Sequence, residues 1–171
     1  MTDPSTPSEG FDDLLARNAD YAAGFADGGL EGVARAGVAV VTCMDSRIEP
    51  LGMLELGLGD AKIIRTPGGR LTPDALVGCV LGVHLLGVER ILVVPHTRCA
   101  MASGEDADLL ARVRATTGED LGEMHLGAST DQRARLLEDV LALRENPHLA
   151  GRALVGGFLY DVDNGTLTQV V

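Results

Sequence analysis

The stretch VVTCMDSRIEP, residues 40–50, ends an apolar run by setting Cys43, Asp45 and Arg47 at alternate positions. Further along, VVPHTRCAM sets His96 and Cys99 at H-x-x-C spacing. Two thiolates and one imidazole suit zinc by softness and geometry. Three protein ligands leave a fourth position open, as in a catalytic zinc site; a structural site usually closes all four. Asp45, two residues from Cys43, must lie close to such an ion. It can orient water at the fourth position or occupy that position itself. Arg47 bears on that choice, because a guanidinium can grip a carboxylate through two parallel hydrogen bonds and hold it off the metal. The bland alternative makes Cys43 and Cys99 small buried hydrophobes, His96 a hydrogen-bonded core residue, and Asp45–Arg47 a surface salt bridge of little worth.

These residues need elements that bring them together. GVAVVTC (37–43) and RILVVPH (90–96) are continuous apolar runs, the mark of strands buried on both faces of a parallel sheet. AKIIR (61–65) reads as a further strand. RIEPLGMLELGLGD, between the first and second strands, reads as a helix or turn. Thr72 caps a helix with Pro73 at its first position, running to about Leu86 with Cys79 on its apolar face. FDDLLARNADYAAGF (11–25) has helical spacing. STDQRARLLEDVLALREN (129–146) is the clearest helix, with Ser129 and Gln132 at capping-box spacing and Pro147 beyond its end. Residues 100–128 read as loop and short helix. ALVGGFLYDVDNGTLTQVV closes the chain as strand, Asn164-Gly165 turn and strand.

Strands alternating with helices imply an α/β fold: a mostly parallel central sheet, helices on both faces and a C-terminal antiparallel edge hairpin. Ligands in such sheets gather at the carboxyl ends of neighbouring strands, where Cys43, His96 and Cys99 fall.

The 171 residues fit one domain, taken as 11–171 after a disordered tail over 1–10. Aromatic residues make up only 3% with no Trp, so the core must be Val, Leu, Ala and Gly. A net charge of −11 argues against nucleic acid or an anionic membrane as partner, yet does not repel a small neutral substrate. MTDPSTPSEG has neither the basic start nor the apolar stretch of a signal peptide, and no run suits a membrane helix, so the expected location is cytoplasmic. Three cysteines fit a disulfide framework badly.

CMDSR together with HTRC resembles the zinc motifs C-x-D-x-R and H-x-x-C of the β-class carbonic anhydrases. RTPGGRLTPDAL is similar to that family's R-N-A-G-[GN] loop and following helix. NADYAAGF and GGFLYDVDNGTL are similar to small actinobacterial members. The resemblance covers nearly all of 11–171. It implies Zn2+ on Cys43, His96 and Cys99, with hydroxide on the metal attacking carbon dioxide to give bicarbonate and a proton, the activity of a carbonate dehydratase. Asp45 and Arg47 would be the catalytic pair, and Gly68 and Ala100 would contact substrate. It also implies a homodimer or a dimer of dimers, with the N-terminal helix reaching over a partner. In one subgroup Asp45 ligates zinc at low pH and water displaces it as pH rises.

Three positions depart from the family pattern. Thr66-Pro67 stands for Asn-Ala and removes a backbone donor. Ala100 stands for a glycine, so its backbone must accommodate a Cβ. Arg98 stands where acidic or neutral residues are common and is expected to be solvated. Cys79 is expected in the core, His84 in core or interface, and His125 and His148 in solvent. The same zinc site could instead hydrolyse carbonyl sulfide or carbon disulfide, or belong to a non-catalytic zinc-binding protein.

Overall fold

The computed structural model describes residues 10–171. The expected tail over 1–10 lies, except for Gly10, outside the described residues. The described residues fall into two compact units, one running to Glu31 and one spanning Gly32–Val171. The first contains α1 (Asp12–Ala23), which opens with Asp12 and Asp13 where the helix dipole favours negative charge. None of its residues is buried.

The second unit is built on five strands: β1 (Val38–Cys43), β2 (Ala61–Thr66), β3 (Arg90–Val94), β4 (Leu154–Tyr160) and β5 (Leu167–Gln169). Their order is β2-β1-β3-β4-β5. The first four are parallel, and β5 runs antiparallel to β4 at the edge, as the Asn164-Gly165 turn predicts. All six residues of β1 are buried, which matches its unbroken apolar sequence.

The two faces of the sheet are covered differently. Ala39 and Val41 of β1, with Ile91 and Val93 of β3, point towards α2 (Pro73–Leu85) and α4 (Gln132–Glu145). Ala75 and Cys79 of α2 and Leu136, Val140 and Leu143 of α4 complete that core. Val38, Val40 and Val94 face the other way, where Met53 and Leu54 pack on them. These two belong to a short 3₁₀ helix, Gly52–Leu54, in the β1–β2 connection. The segment 47–60 is therefore turn and 3₁₀ helix, and both long helices of this unit share one face.

Two helices differ from expectation in detail. Thr72 caps α2 as predicted, its Oγ1 accepting from Ala75 N at 3.2 Å. The cap of α4 is Asp131 rather than Ser129, with Asp131 Oδ1 accepting from Ala134 N at 2.9 Å. Gln132 is then free to reach inward. A further full helix, α3 (Asp106–Thr117), occupies part of the region read as loop and short helix; it buries none of its residues, so its apolar pattern is weak.

Between β2 and α2, Arg70 crosses to α4. Its Nε and Nη2 donate to the two oxygens of Asp139 at 2.6 and 3.0 Å, and Leu71 N donates to Asp139 Oδ2 at 3.1 Å. Asp139 is buried. Removing one partner of a buried pair leaves the other uncompensated, so Asp139→Ala is expected to cost about 3 kcal/mol of stability, read by urea unfolding at neutral pH.

Candidate metal centre

β1 lies between β2 and β3, so the chain leaves β1 towards one neighbour and later returns on its other side. The carboxyl ends of β1 and β3 therefore form a topological switch point, where open α/β sheets place their ligands. Cys43 is the last residue of β1, and His96 follows β3 by two residues. His96 is also tied laterally to Tyr160 at the end of β4.

Cys43, His96 and Cys99 are all buried, and their ligating atoms lie within 4.8 Å of one another. The two Sγ atoms are 3.9 Å apart. His96 Nδ1 sits 2.9 Å from the Thr97 carbonyl. A carbonyl only accepts, so Nδ1 carries the proton and Nε2 presents its lone pair. Among the described residues His96 Nε2 is the one buried side-chain nitrogen or oxygen without a hydrogen-bond partner. A lone pair left bare beside two sulfurs is costly for a core histidine and right for a metal ligand. The donor set fits zinc.

Two glycines let the second loop approach. Thr66-Pro67 leads into a 3₁₀ turn, Pro67–Gly69, in which Gly68 and Gly69 have φ of 71° and 69°. A Cβ on Gly69 would lie 3.1 Å from both Cys43 N and Val94 O, which are backbone atoms that cannot swing aside. The backbone N–H groups of Asp45 and Gly68 favour the ionised form of Cys43. The Cys43 thiol is pushed down to about 4, chiefly by the hydrogen bond from Cys99 and against the effect of burial. The Cys99 thiol is pushed far up by donating to Cys43 and by burial, although the N–H groups of Met101 and Ala102 partly offset this. Ile48, Met53, Met101 and Tyr160 surround the sulfurs with apolar side chains.

Asp45 and Arg47 meet as expected. Arg47 Nε donates to Asp45 Oδ1 at 2.9 Å and Nη2 to Oδ2 at 2.8 Å. Arg47 N adds a bond to Oδ1 at 3.0 Å. Asp45 Oδ2 is 3.8 Å from His96 Nε2, so the carboxylate stands beside the ligand cluster. These Arg47 hydrogen bonds hold the Asp45 carboxyl well below the usual carboxylate range.

Several contributors carry no spacing signal. Arg65, at the end of β2, donates to the carbonyls of Cys43, Asp45 and Ile48 at 3.0, 2.6 and 3.2 Å and so braces the whole Cys43–Ile48 turn. Gln132 Nε2 donates to the His96 carbonyl at 3.0 Å. Arg98, expected to be solvated, is ion-paired with Asp163 although both are exposed. Ala100 is exposed and opens a 3₁₀ turn without positive φ, so its Cβ meets no backbone objection. Cys79 is fully buried in the core, and burial pushes its thiol up to about 11. His84 Nε2 donates to the His148 carbonyl at 2.8 Å, and both residues are exposed. His125 is exposed and pairs with Asp106.

The comparisons with known proteins agree with this geometry. A family model described as carbonic anhydrase matches residues 38–167. The chain belongs to the carbonic anhydrase family. It is 33% identical over 163 residues to beta-carbonic anhydrase 1 of Mycobacterium bovis, covering 93% of this chain and 96% of that protein. The crystal structure of carbonic anhydrase from Streptococcus mutans superimposes with a TM-score of 0.85 at 31% identity, covering 97% of this chain and all of the other. A carbon disulfide hydrolase from Acidianus is 30% identical over 155 residues, 76% of this chain and 75% of that protein. It is a relative within the same family and does not favour the sulfur-substrate alternative for this chain.

Two outcomes are expected. Gly69→Ala puts a side chain into a left-handed position with no room for it, and metal analysis should find much less zinc than in the wild type. At pH 7, with Cys43 low and Cys99 high, the metal-free protein holds one thiolate and one thiol. Zinc addition should therefore release about one sulfur-bound proton per chain rather than two, measured with an indicator dye in weak buffer. Since protons and metal compete for the same atoms, zinc retention should fall as pH falls.

Proposed function

We propose that this protein is a zinc-dependent carbonate dehydratase that interconverts carbon dioxide and bicarbonate, with Asp45 and Arg47 controlling the fourth zinc position. The observation that carries the reading is the buried, unpartnered Nε2 of His96 between two sulfurs, with a gripped carboxylate 3.8 Å away. Cys43, His96 and Cys99 would hold the ion. Zinc, when bound, supplies the Lewis acid that turns water into a nucleophile near neutral pH.

The chain's own residues do the rest. Asp45 accepts a hydrogen bond from the attacking oxygen and so aims its lone pair at the carbon of the substrate. Arg47 commits both carboxylate oxygens and keeps Asp45 from becoming a ligand itself. A structural zinc protein has no use for such a gate. Gly68 and Ala100 would contact the substrate; Gly68 abuts Met101, whose Cβ is 3.1 Å from where a Gly68 Cβ would be.

The Asp45–Arg47 grip supports a resting state in which Asp45 stays off the metal. A depressed carboxyl contributes its stability above the ordinary carboxylate value and loses it as pH falls through the lowered one. Asp45 therefore remains an anion throughout the neutral and alkaline range, and its protonation sets no break in activity there. We also propose that the chain works in the cytoplasm as a homodimer or a dimer of dimers. No helix among the described residues is long and apolar enough to cross a membrane. Phe11, Leu14, Leu15 and Tyr21 are all exposed on and beside α1, a face that a second copy would cover.

Stopped-flow hydration of carbon dioxide tests the enzyme reading. Asp45→Ala should lower kcat by about 100-fold while zinc content is kept. An unchanged rate would remove Asp45 from the mechanism, and turnover of carbonyl sulfide without carbon dioxide hydration would replace the substrate.

A further inference from the structure

Arg98, between His96 and Cys99, is one of two non-glycine residues among those described with positive φ, at 54°. The left-handed region is unfavourable for an L-residue with a Cβ, so it persists only where the surroundings enforce it. Here two contacts do so. The Arg98 side chain pairs with Asp163 in the β4–β5 turn. The Arg98 carbonyl accepts from Arg47 Nη2 at 3.2 Å.

The second contact matters for the catalytic pair. Nη2 carries two hydrogens. One goes to Asp45 Oδ2, and the carbonyl of Arg98 takes the other. With Nε on Asp45 Oδ1, the plane of the guanidinium is fixed from two directions. Without the carbonyl, Arg47 would still hold Asp45 but could pivot about it.

Asp163 is itself well placed. Asp161 Oδ1 accepts from Asp163 N at 2.9 Å and Oδ2 from Asn164 Nδ2 at 3.0 Å. Asn164 Oδ1 accepts from Thr166 N at 2.9 Å. Thr97 links this turn to the metal loop: its N donates to the Tyr160 carbonyl at 2.9 Å and its Oγ1 accepts from Val162 N at 3.1 Å.

We propose that Arg98 is a positioning residue for the catalytic pair: its left-handed backbone turns its carbonyl onto Arg47, and Asp163 of the C-terminal hairpin holds its side chain in place. The proposal rests on the assignment of Arg47 to the reaction. It makes the edge hairpin part of the active-site support and gives a role to one of the residues at which this chain departs from its family.

The test compares zinc-loaded Arg98→Val, Arg98→Gly and Asp163→Asn by stopped-flow hydration, with zinc content and thermal midpoint measured on each. Valine is β-branched and resists the left-handed region, so its carbonyl turns away. Arg98→Val should lower kcat by about tenfold with KM and zinc content unchanged. Arg98→Gly, free to adopt positive φ, should recover most of that loss. Arg98→Val in an Arg47→Ala background should cost nothing further. An unchanged kcat in Arg98→Val, or an equal loss in both backgrounds, overturns the proposal. Should Arg98→Val fail to fold or to load zinc, Asp163→Asn decides. A drop in kcat of about threefold that vanishes in the Arg47→Ala background supports the proposal, and no drop overturns it. Full activity in Arg47→Ala would instead remove the assignment on which it stands.

Discussion

A buried imidazole nitrogen with nothing to bond organises the site. His96 Nε2 is enclosed by protein, its tautomer set by the Thr97 carbonyl and its backbone held by Gln132 and Tyr160. Leaving a polar atom bare in the interior is unfavourable by about 1–3 kcal/mol. The fold tolerates this because two sulfurs converge on the same point and together make a strong site for a soft divalent ion. The glycine turn at 68–69, the Arg65 brace and the Asp45–Arg47 pair are all arranged around that convergence.

The sheet explains how residues so far apart in the chain meet. Parallel strands put their carboxyl ends at one edge, and the reversal of strand order between β1 and β3 opens a crevice there. Cys43 arrives at the end of β1, a strand buried along its whole length. Asp45 and Arg47 follow on a turn too short to wander. The hydrophobic core thus supplies the precision, and the turns supply the reactive groups.

Much of this was readable from residue order. C-x-D-x-R and H-x-x-C pointed to the three residues that cluster and to the Asp45–Arg47 ion pair, and the valine-rich runs named the strands that carry them. The Thr72-Pro73 start of α2 and the Asn164-Gly165 turn were equally plain, since local chemistry decides both. What escaped depends on contacts between distant segments. Arg65 and Gln132 act through backbone carbonyls, which leave no trace in residue spacing. Arg98 looked like a solvated cation because neither its left-handed φ nor its partner Asp163 is a local property. The start of α4 moved from Ser129 to Asp131, as two adequate caps lay close together and Gln132 was drawn towards His96. α3 was under-read because a helix that buries none of its residues has little apolar rhythm.

The Arg65 brace has a mechanical consequence. One guanidinium at the tip of β2 grasps three carbonyls of the turn that follows β1. That turn cannot flap independently of the neighbouring strand. Traffic through the site must proceed past a fixed rim, and any motion wide enough to disrupt the ligand set would have to peel β2 away with it. Integrity of the reactive centre and cohesion of that flank of the sheet are one property.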